Sequence, residues 1–404
     1  MKYGSIKHKQ EMYMKILRIQ ASGLKLFQKE IIIDFYAKQR VPADKNEMLT
    51  NIFSNIYINN VISLVGINAS GKTTSLKVIS FVLNMLKNEP INKIKYNEIL
   101  EGLEEQDEVI FNTYFTDANQ MLKLSTVIKS KNSITNNKYY ISRENISAKS
   151  LNSIRSKKDL FNFTNIEPMT ERNQEELFLL DDVSVIIAFN KKQKNSLFFI
   201  DSLDWTDNNG LQVLGNFPIA LVQFLDPTIE HLYYEELDKD EKKIEIRLKF
   251  FNKKEVVLHS TSEMSKYLSS GTVKGINVFM TAIFVLKKGG YLIVDEIENH
   301  FNKEIVSTLI RFFMDSEINT SGAVLIFSTH YIELLDIFER NDNIYLIKNK
   351  NGINIENFAD LLKRNDVKKS ELFKSGYLEN TTPSYESFIN LKRAIVKIYN
   401  QDKV

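Results

Sequence analysis

One segment of eight residues constrains the fold of this chain more than any other feature. Residues 66–73 read Gly-Ile-Asn-Ala-Ser-Gly-Lys-Thr and follow a compact apolar run, 59–65, with the length of a buried strand. Residues 72–86 then carry apolar side chains at helical spacing, until Asn-Glu-Pro at 88–90 stops the pattern. A strand, a glycine loop and a helix in this order form the P-loop motif of parallel α/β folds.

The spacing of this motif suits a nucleotide. Its glycines let successive backbone N–H groups turn inward around phosphates, and the helix N-terminus adds a favourable dipole. Lys72 is expected to reach the β- and γ-phosphates of ATP, and Thr73 to offer its hydroxyl to Mg²⁺. A glycine turn with a surface lysine is the structural alternative, which the strand-loop-helix setting disfavours. The predicted nucleotide-binding residues here are Gly66, Asn68, Ala69, Ser70, Gly71, Lys72, Thr73 and Thr74.

A second apolar strand ends in two acids. Residues 291–294 read Tyr-Leu-Ile-Val and are followed by Asp295 and Glu296. This placement predicts that Asp295 holds Mg²⁺ through water and that Glu296 polarises the attacking water. A solvated strand end that caps the next element is the alternative, and it is weaker beside a P-loop. The residues expected to line the same interface are Glu298, Asn299 and His300.

A serine-rich segment opens the long helix that precedes this strand. Residues 268–272 read Leu-Ser-Ser-Gly-Thr, and their backbone amides and Ser270 could meet a γ-phosphate at a helix N-terminus. Taken alone, such a cluster is more often an ordinary N-cap, because serine caps helices for structural reasons. Its position between the P-loop and Asp295 favours a nucleotide contact, which makes Ser269, Ser270 and Gly271 candidate binding residues.

A histidine ends the next predicted strand. Residues 327–330 read Phe-Ser-Thr-His, which places His330 where it could contact the γ-phosphate and the attacking water. A purely structural histidine is the alternative. The candidate catalytic residues are therefore Lys72, Glu296 and His330, and the candidate Mg²⁺ ligands are Thr73 and Asp295.

Composition excludes several classes of site. The 404 residues contain no cysteine, which removes disulfides and thiolate chemistry and is compatible with a reducing cytoplasm. Fifty-three basic and 51 acidic residues give a net charge of +2, so any DNA contact would be a local patch. No stretch reaches the roughly 18 apolar residues of a membrane span, and residues 1–13 lack the apolar core of a secretion signal. We expect a cytoplasmic protein without membrane contact.

The order of predicted elements indicates an α/β fold. Strand patterns at 14–23 and 30–35 precede the P-loop and form a predicted hairpin. An α/β pattern returns with helices at 274–286 and 303–313 and a strand at 323–327. The two ends of the chain are therefore expected to form one core.

The middle of the chain follows a different pattern. From about residue 100 to 258, short alternating segments are separated by Asn- and Lys-rich turns, which is typical of a β-rich lobe with some helix. We predict an ATPase head in two halves, 1–100 and 259–350, with an inserted lobe at 101–258. The remaining residues, 351–404, form a predicted tail with an amphipathic helix.

The order of the four motifs resembles the ABC ATPase superfamily, especially its SMC- and RecF-like cytoplasmic branch. This resemblance implies an ABC-type head with an antiparallel β subdomain that binds ATP and Mg²⁺ and hydrolyses ATP. It also implies that Ser270 and Gly271 act in trans on ATP held by the P-loop of a second copy. The expected assembly is a homodimer or a higher oligomer bridged by ATP.

Three segments are similar to ATP-binding proteins of bacterial abortive-infection and anti-phage operons, including the AbiL, PARIS and Septu types. They are Ile-Gln-Ala-Ser-Gly-Leu at 19–24, the loop at 66–71 and Lys-Ser-Glu-Leu-Phe at 369–373, and the segment Thr-Pro-Ser-Tyr at 382–385 fits the same likeness. The resemblance implies a sensor or switch subunit that works with a separately encoded nuclease or effector.

Several alternatives stay open at this point. Residues 297–302 lack the proline of transporter ATPases, and the roughly 70 residues after His330 lack an Asp-x-Asp cluster for a fused nuclease. Gln120 could be a nucleotide-sensing glutamine, although a surface glutamine is the better interpretation. A RecF- or SMC-like ATPase that clamps DNA, and a nucleotide-sensing scaffold with little turnover, are the rival functions.

Overall fold

The structure of the chain is a computed structural model. It describes residues 14–42, 48–131, 138–172, 179–191, 197–203, 217–238, 243–299, 301–375 and 385–401. His300 and residues 382–384, which the sequence analysis singled out, lie outside the described residues.

The described residues form runs of consecutive strands separated by helices. The strands are β1 (Lys15–Ser22), β2 (Ile31–Asp34), β3 (Leu49–Phe53), β4 (Ile56–Asn59), β5 (Val61–Val65), β6 (Val109–Asp117), β7 (Gln120–Ser130), β8 (Tyr139–Ser150), β9 (Pro168–Glu171), β10 (Phe199–Asp201), β11 (Ile229–Asp238), β12 (Lys243–Phe250), β13 (Val256–Leu258), β14 (Tyr291–Val294), β15 (Val324–Thr329), β16 (Ile344–Asn349) and β17 (Ile353–Asn357). The helices are α1 (Lys72–Leu86), α2 (Ile186–Asn190), α3 (Ile219–Leu225), α4 (Ser270–Lys288), α5 (Lys303–Met314), α6 (Phe358–Leu361), α7 (Lys369–Lys374) and α8 (Tyr385–Gln401).

A six-stranded sheet forms the centre of the fold. Its order is β10-β14-β15-β5-β16-β17, and all neighbouring strands run parallel except the edge pair β16-β17. The segments that follow β5, β14 and β15 therefore leave the sheet at the same edge, where ligands bind in open α/β sheets. The predicted mixed α/β fold is confirmed.

The central strands are apolar on both faces because each face packs against its own core. Ile62 and Leu64 of β5 join α1 and the antiparallel strands in one cluster. Val61 and Val65 of the same strand join α4 and α5 in another. A parallel sheet covered on both faces reads as a continuous apolar run, which explains the sequence patterns at 59–65 and 291–294.

The predicted middle lobe spreads over several sheets. Strands β6 to β9 extend the β1-β2 hairpin into a six-stranded antiparallel sheet, β10 joins the central sheet, and β11 to β13 form a sheet of three strands. Alternation along 109–115 identifies a strand but not its partner, because pairing depends on contacts distant in sequence. The domain boundaries at 101 and 258 stay a prediction.

The other predicted elements agree closely with the structure. Helix α1 and strand β14 have the predicted bounds, and the amphipathic helix expected near 387–399 is α8. Gln120 is exposed at the first position of β7, which agrees with a surface glutamine. Among the described residues, no helix is both long and apolar enough to cross a membrane.

A buried lysine links β1 to the segments that lead into β14 and β15. Lys15 of β1 donates hydrogen bonds to the carbonyl oxygens of Gly289 at 2.7 Å and Gly322 at 2.6 Å. Gly289 is the C-cap of α4, so the ammonium group satisfies a carbonyl at the negative end of that helix. Burial lowers the pKa of Lys15 to about 7.

Candidate nucleotide site

The loop between β5 and α1 requires glycine at two positions. A Cβ on Gly66 would lie 2.4 Å from the carbonyl oxygen of Ile347, closer than real Cβ contacts allow. Gly71 has a φ of +100°, and a Cβ there would lie 2.5 Å from the side chain of Ile353. Strands β16 and β17 therefore pack closely against the loop, and a side chain at position 66 or 71 would disrupt its compact turn.

The N-terminus of α1 has the features of an anion site. Gly71 is its N-cap, no side chain caps the helix, and its first turn contains no acidic residue. The hydroxyl of Ser70 is buried and has no hydrogen-bond partner among the described residues. Free N–H groups at a helix N-terminus together with an orphaned buried hydroxyl fit a phosphate group. Asn68 and Ala69 lie exposed at the rim, and Thr74 lies half-buried in the first turn.

Lys72 is buried and directed into the loop. Its ammonium group donates to the carbonyl oxygens of Gly66 at 3.0 Å and Ile67 at 3.2 Å. Burial lowers the pKa of Lys72, and the nearby carboxylates of Asp295, Glu296 and Glu298 oppose that shift. The cation therefore stands between the loop and a group of acids at the end of β14.

The donor set at the end of β14 fits Mg²⁺. The Thr73 hydroxyl donates to Asp295 Oδ2 at 2.6 Å, and the Ser328 hydroxyl donates to Asp295 Oδ1. No group of three or more His, Asp or Glu side chains in the described ranges is arranged to hold a metal ion by itself. Mg²⁺ commonly takes one or two protein oxygens and completes its shell with phosphates and water. Thr73 and Asp295 are such a pair.

Glu296 occupies a strained backbone position next to the same serine. Its φ is +45°, and its N–H donates to Ser328 Oγ at 2.7 Å. Its Oε1 lies 3.4 Å from His330 Nε2, and Asn299 donates to its Oε2 at 2.7 Å. A glutamate at positive φ is uncommon and is held here by surrounding contacts, as is frequent at functional sites.

His330 completes the group of side chains. Its Nδ1 lies 3.3 Å from Lys72 Nζ, so its ring stands between Lys72 and Glu296. Its backbone N–H donates to Glu298 Oε1, and the Glu298 side chain is buried. The structure thus brings together the predicted residues Lys72, Thr73, Asp295, Glu296 and His330.

The Ser269 segment lies apart from this group. The hydroxyl of Ser269 caps α4 by accepting from the N–H of Thr272 at 3.0 Å. Ser270 is exposed and Gly271 is half-buried, and none of the hydrogen bonds found among the described residues joins this segment to residues 66–73. The structural interpretation as an N-cap holds for Ser269, and a nucleotide contact by Ser270 or Gly271 stays a prediction.

A comparison with known protein families agrees with this geometry. Residues 61–336, more than half of the chain, match the family described as "AAA domain, putative AbiEii toxin, Type IV TA system". The chain belongs to this family. The matched range begins at β5 and contains the P-loop, the Asp295–Glu296 pair and His330. No curated protein matches the sequence of this family member.

Sequence reasoning missed two residues that support the AAA-domain site. Ser328 bridges Asp295 and the Glu296 backbone, and Asn349 donates to the carbonyl of Ala69 at 3.3 Å. Ser328 lies two positions before His330 at the end of a strand, so its location was a usable signal. Asn349 lies 280 residues from Ala69, and no local pattern reveals that contact.

Proposed function

We propose that the chain binds Mg-ATP at residues 66–73 and hydrolyses it to ADP and phosphate. The observation that carries this proposal is the Thr73–Asp295 hydrogen bond of 2.6 Å, with Lys72, Glu296 and His330 within reach of each other. Membership of a family described as an AAA domain supports a nucleotide as the ligand.

Catalysis of phosphoryl transfer depends mainly on positioning and on neutralising charge. Lys72 and the N–H groups at the start of α1 bind the phosphates, and Thr73 and Asp295 hold the metal ion. Bound Mg²⁺ neutralises charge on the phosphate oxygens. Glu296 orients the attacking water and accepts its proton, and His330 stands where it contacts the γ-phosphate and that water.

We further propose an ABC-type head that is completed by a second copy. Ser270, at the start of α4, is exposed, and Gly271 beside it is half-buried. Backbone amides at a helix N-terminus suit a γ-phosphate on the opposing P-loop. ATP then bridges two heads, and loss of the γ-phosphate removes the affinity that holds them together.

In the cell this cycle serves as a sensor and switch of an anti-phage system. The family description names an AbiEii toxin and a type IV TA system, which supports this context. We propose that this switch controls a separately encoded nuclease or other effector, as the resemblance to anti-phage ATPases implies.

The test is the mass of the Glu296→Gln protein, measured by light scattering with and without Mg-ATP. A variant that binds ATP without hydrolysing it is expected to shift from one chain to two when ATP is added. Steady-state phosphate release by the wild type and by Glu296→Gln is measured in parallel, and we expect a loss of about 100- to 1,000-fold in the variant.

Glu317→Gln is the matched control, because Glu317 is an exposed surface glutamate in the turn after α5. It should behave as the wild type in both assays. A mass that does not respond to ATP would contradict the bridged dimer, and equal phosphate release by wild type and Glu296→Gln would contradict hydrolysis at this site.

A further inference from the structure

Asn299 makes a close contact with the proposed catalytic glutamate. Residues 296–299 form a turn in which the Asn299 backbone N–H donates to the Glu296 carbonyl oxygen at 2.8 Å. The Asn299 side chain folds back over this turn, and its Nδ2 donates to Glu296 Oε2 at 2.7 Å. The amide thus contacts one of the two carboxylate oxygens and leaves the other for the reaction.

The second oxygen of Glu296 points toward the rest of the site. Oε1 lies 3.4 Å from His330 Nε2, a longer and weaker contact than that made by Asn299. Lys72 interacts electrostatically with Glu296 and also with Asp295 and Glu298, the acids near Glu296 in the sequence. Asn299 is a neutral donor at close hydrogen-bond distance from Glu296.

An exposed carboxylate such as that of Glu296 depends more on a hydrogen-bond donor to fix its position than a buried carboxylate does. The Glu296 side chain is 42% exposed, so packing alone does not hold it in one rotamer. The backbone of Glu296 is held at positive φ, which fixes the direction of its Cα–Cβ bond but not the position of its carboxylate. A misplacement of about 1 Å at a reacting group costs up to about 100-fold in rate.

We propose that Asn299 is the positioning residue that fixes the carboxylate of Glu296 for attack by water. This inference rests on the proposed function. A water O–H proton passes to Glu296 Oε1 as its oxygen forms the new bond to the γ-phosphorus. The bond from that phosphorus to the bridging oxygen breaks, ADP leaves with the electron pair, and Glu296 then returns the proton to solvent. Asn299 keeps its own protons throughout, because an amide does not ionise in this pH range.

Two substitutions separate positioning from a structural role. Asn299→Ala removes the donor and should lower kcat about 10- to 100-fold, with KM for ATP changed less than about twofold because the phosphate-binding loop is intact. Asn299→Asp keeps the shape but places a carboxylate beside Glu296. Two facing carboxylates share a proton, so the acidic limb of the kcat–pH profile should move to higher pH.

Asn302→Ala serves as the control of equal size. Asn302 caps α5 by accepting from the N–H of Ile305 at 3.0 Å, so its loss should affect stability and leave kcat and the pH profile unchanged. Thermal unfolding of all three variants is measured to compare their stability.

The outcomes distinguish this inference from the proposed function. If wild type hydrolyses ATP and both Asn299 variants keep its kcat and pH profile, the positioning role is wrong and the function stands. If Asn299→Asp matches wild type while Asn299→Ala is slow, the residue is structural and the inference is overturned. If wild type itself releases no phosphate, the proposed function fails first.

Discussion

The N-termini of α1 and α4 both contain serine and glycine, but they are capped differently. Gly71 is the N-cap of α1 without a side-chain hydrogen bond, whereas the Ser269 hydroxyl caps α4. The dipole of each helix favours an anion at its N-terminus. At α1, Lys72 and Thr73 meet Asp295 and His330 within the same chain. At α4, the Ser269 hydroxyl accepts from the Thr272 N–H, and no hydrogen bond found among the described residues joins Ser270 or Gly271 to the group at α1. Similar local sequence therefore does not make a similar site.

The difference lies in what converges on each helix. The carboxyl ends of β5, β14 and β15 bring acids, a cation and a histidine to α1 because these strands are neighbours in the central sheet. Helix α4 packs on the opposite face of that sheet, in the core that contains Val61 and Val65. The Lys15 ammonium group donates to the carbonyl oxygen of Gly289 at the C-terminal end of α4.

The largest expected effect is on the complete site at α1. Lys72→Ala should lower phosphate release about 1,000-fold, because it removes the cation expected at the transferred phosphate. Lys77→Ala is the control on the same helix, since Lys77 pairs with Glu98 outside the site. Steady-state phosphate release measures both variants. A Lys72→Ala protein with wild-type turnover would contradict the assignment of the catalytic site to α1.

The next effect tests the start of α4. Gly271→Asp places a negative charge and a side chain where a γ-phosphate from a second copy is expected, and should lower turnover about 100-fold. Binding of a fluorescent ATP analogue should persist, because the P-loop of the same chain is untouched. Ser262→Asp is the control, because Ser262 is exposed in the 3₁₀ helix that precedes α4. Equal loss of nucleotide binding and turnover in Gly271→Asp would indicate misfolding, and unchanged turnover would remove the role in trans.

A smaller effect is expected at the metal ligand. Thr73→Ala should raise the Mg²⁺ concentration for half-maximal turnover about 10- to 100-fold, whereas Thr73→Ser keeps the hydroxyl that donates to Asp295 and should stay near wild type. Magnesium titration of phosphate release provides the measurement. Identical titrations for alanine and serine would exclude Thr73 as a ligand.

The last prediction concerns Lys15, which binds the C-terminal end of α4, and it is a change in stability and not in turnover. The pKa of Lys15 is lowered to about 7 by burial, so between pH 7 and its usual value the unfolded chain binds more protons than the folded one. The free energy of unfolding should therefore rise with pH, by up to about 4 kcal/mol between pH 7 and pH 10. Urea denaturation at a series of pH values measures the free energy of unfolding of the wild type and of Lys15→Met. The wild type should show this rise in addition to any rise shown by Lys15→Met, and parallel plots of the free energy of unfolding against pH would contradict the prediction.

Much of the site could be predicted because its parts are local. The P-loop, the two acids after β14 and His330 after β15 each follow a short apolar strand, and the type and order of these elements appear in the sequence itself. Their meeting at one edge follows from the parallel sheet that such an alternation forms. The bounds of α1 and β14 were predictable for the same reason.

Contacts between distant segments were decided by the tertiary structure. The hydroxyl of Ser328 bridges Asp295 and Glu296 because β15 lies beside β14, and the amide of Asn299 reaches Glu296 because the turn folds back. The range 101–258 read as one lobe, yet its strands joined three sheets, since an alternating pattern specifies a strand and its buried face but not its neighbour. The sequence by itself determined the chemical groups and the elements that carry them. The packing of those elements decided which groups face one another, because hydrogen bonds and strand pairing depend on distance in space and not along the chain.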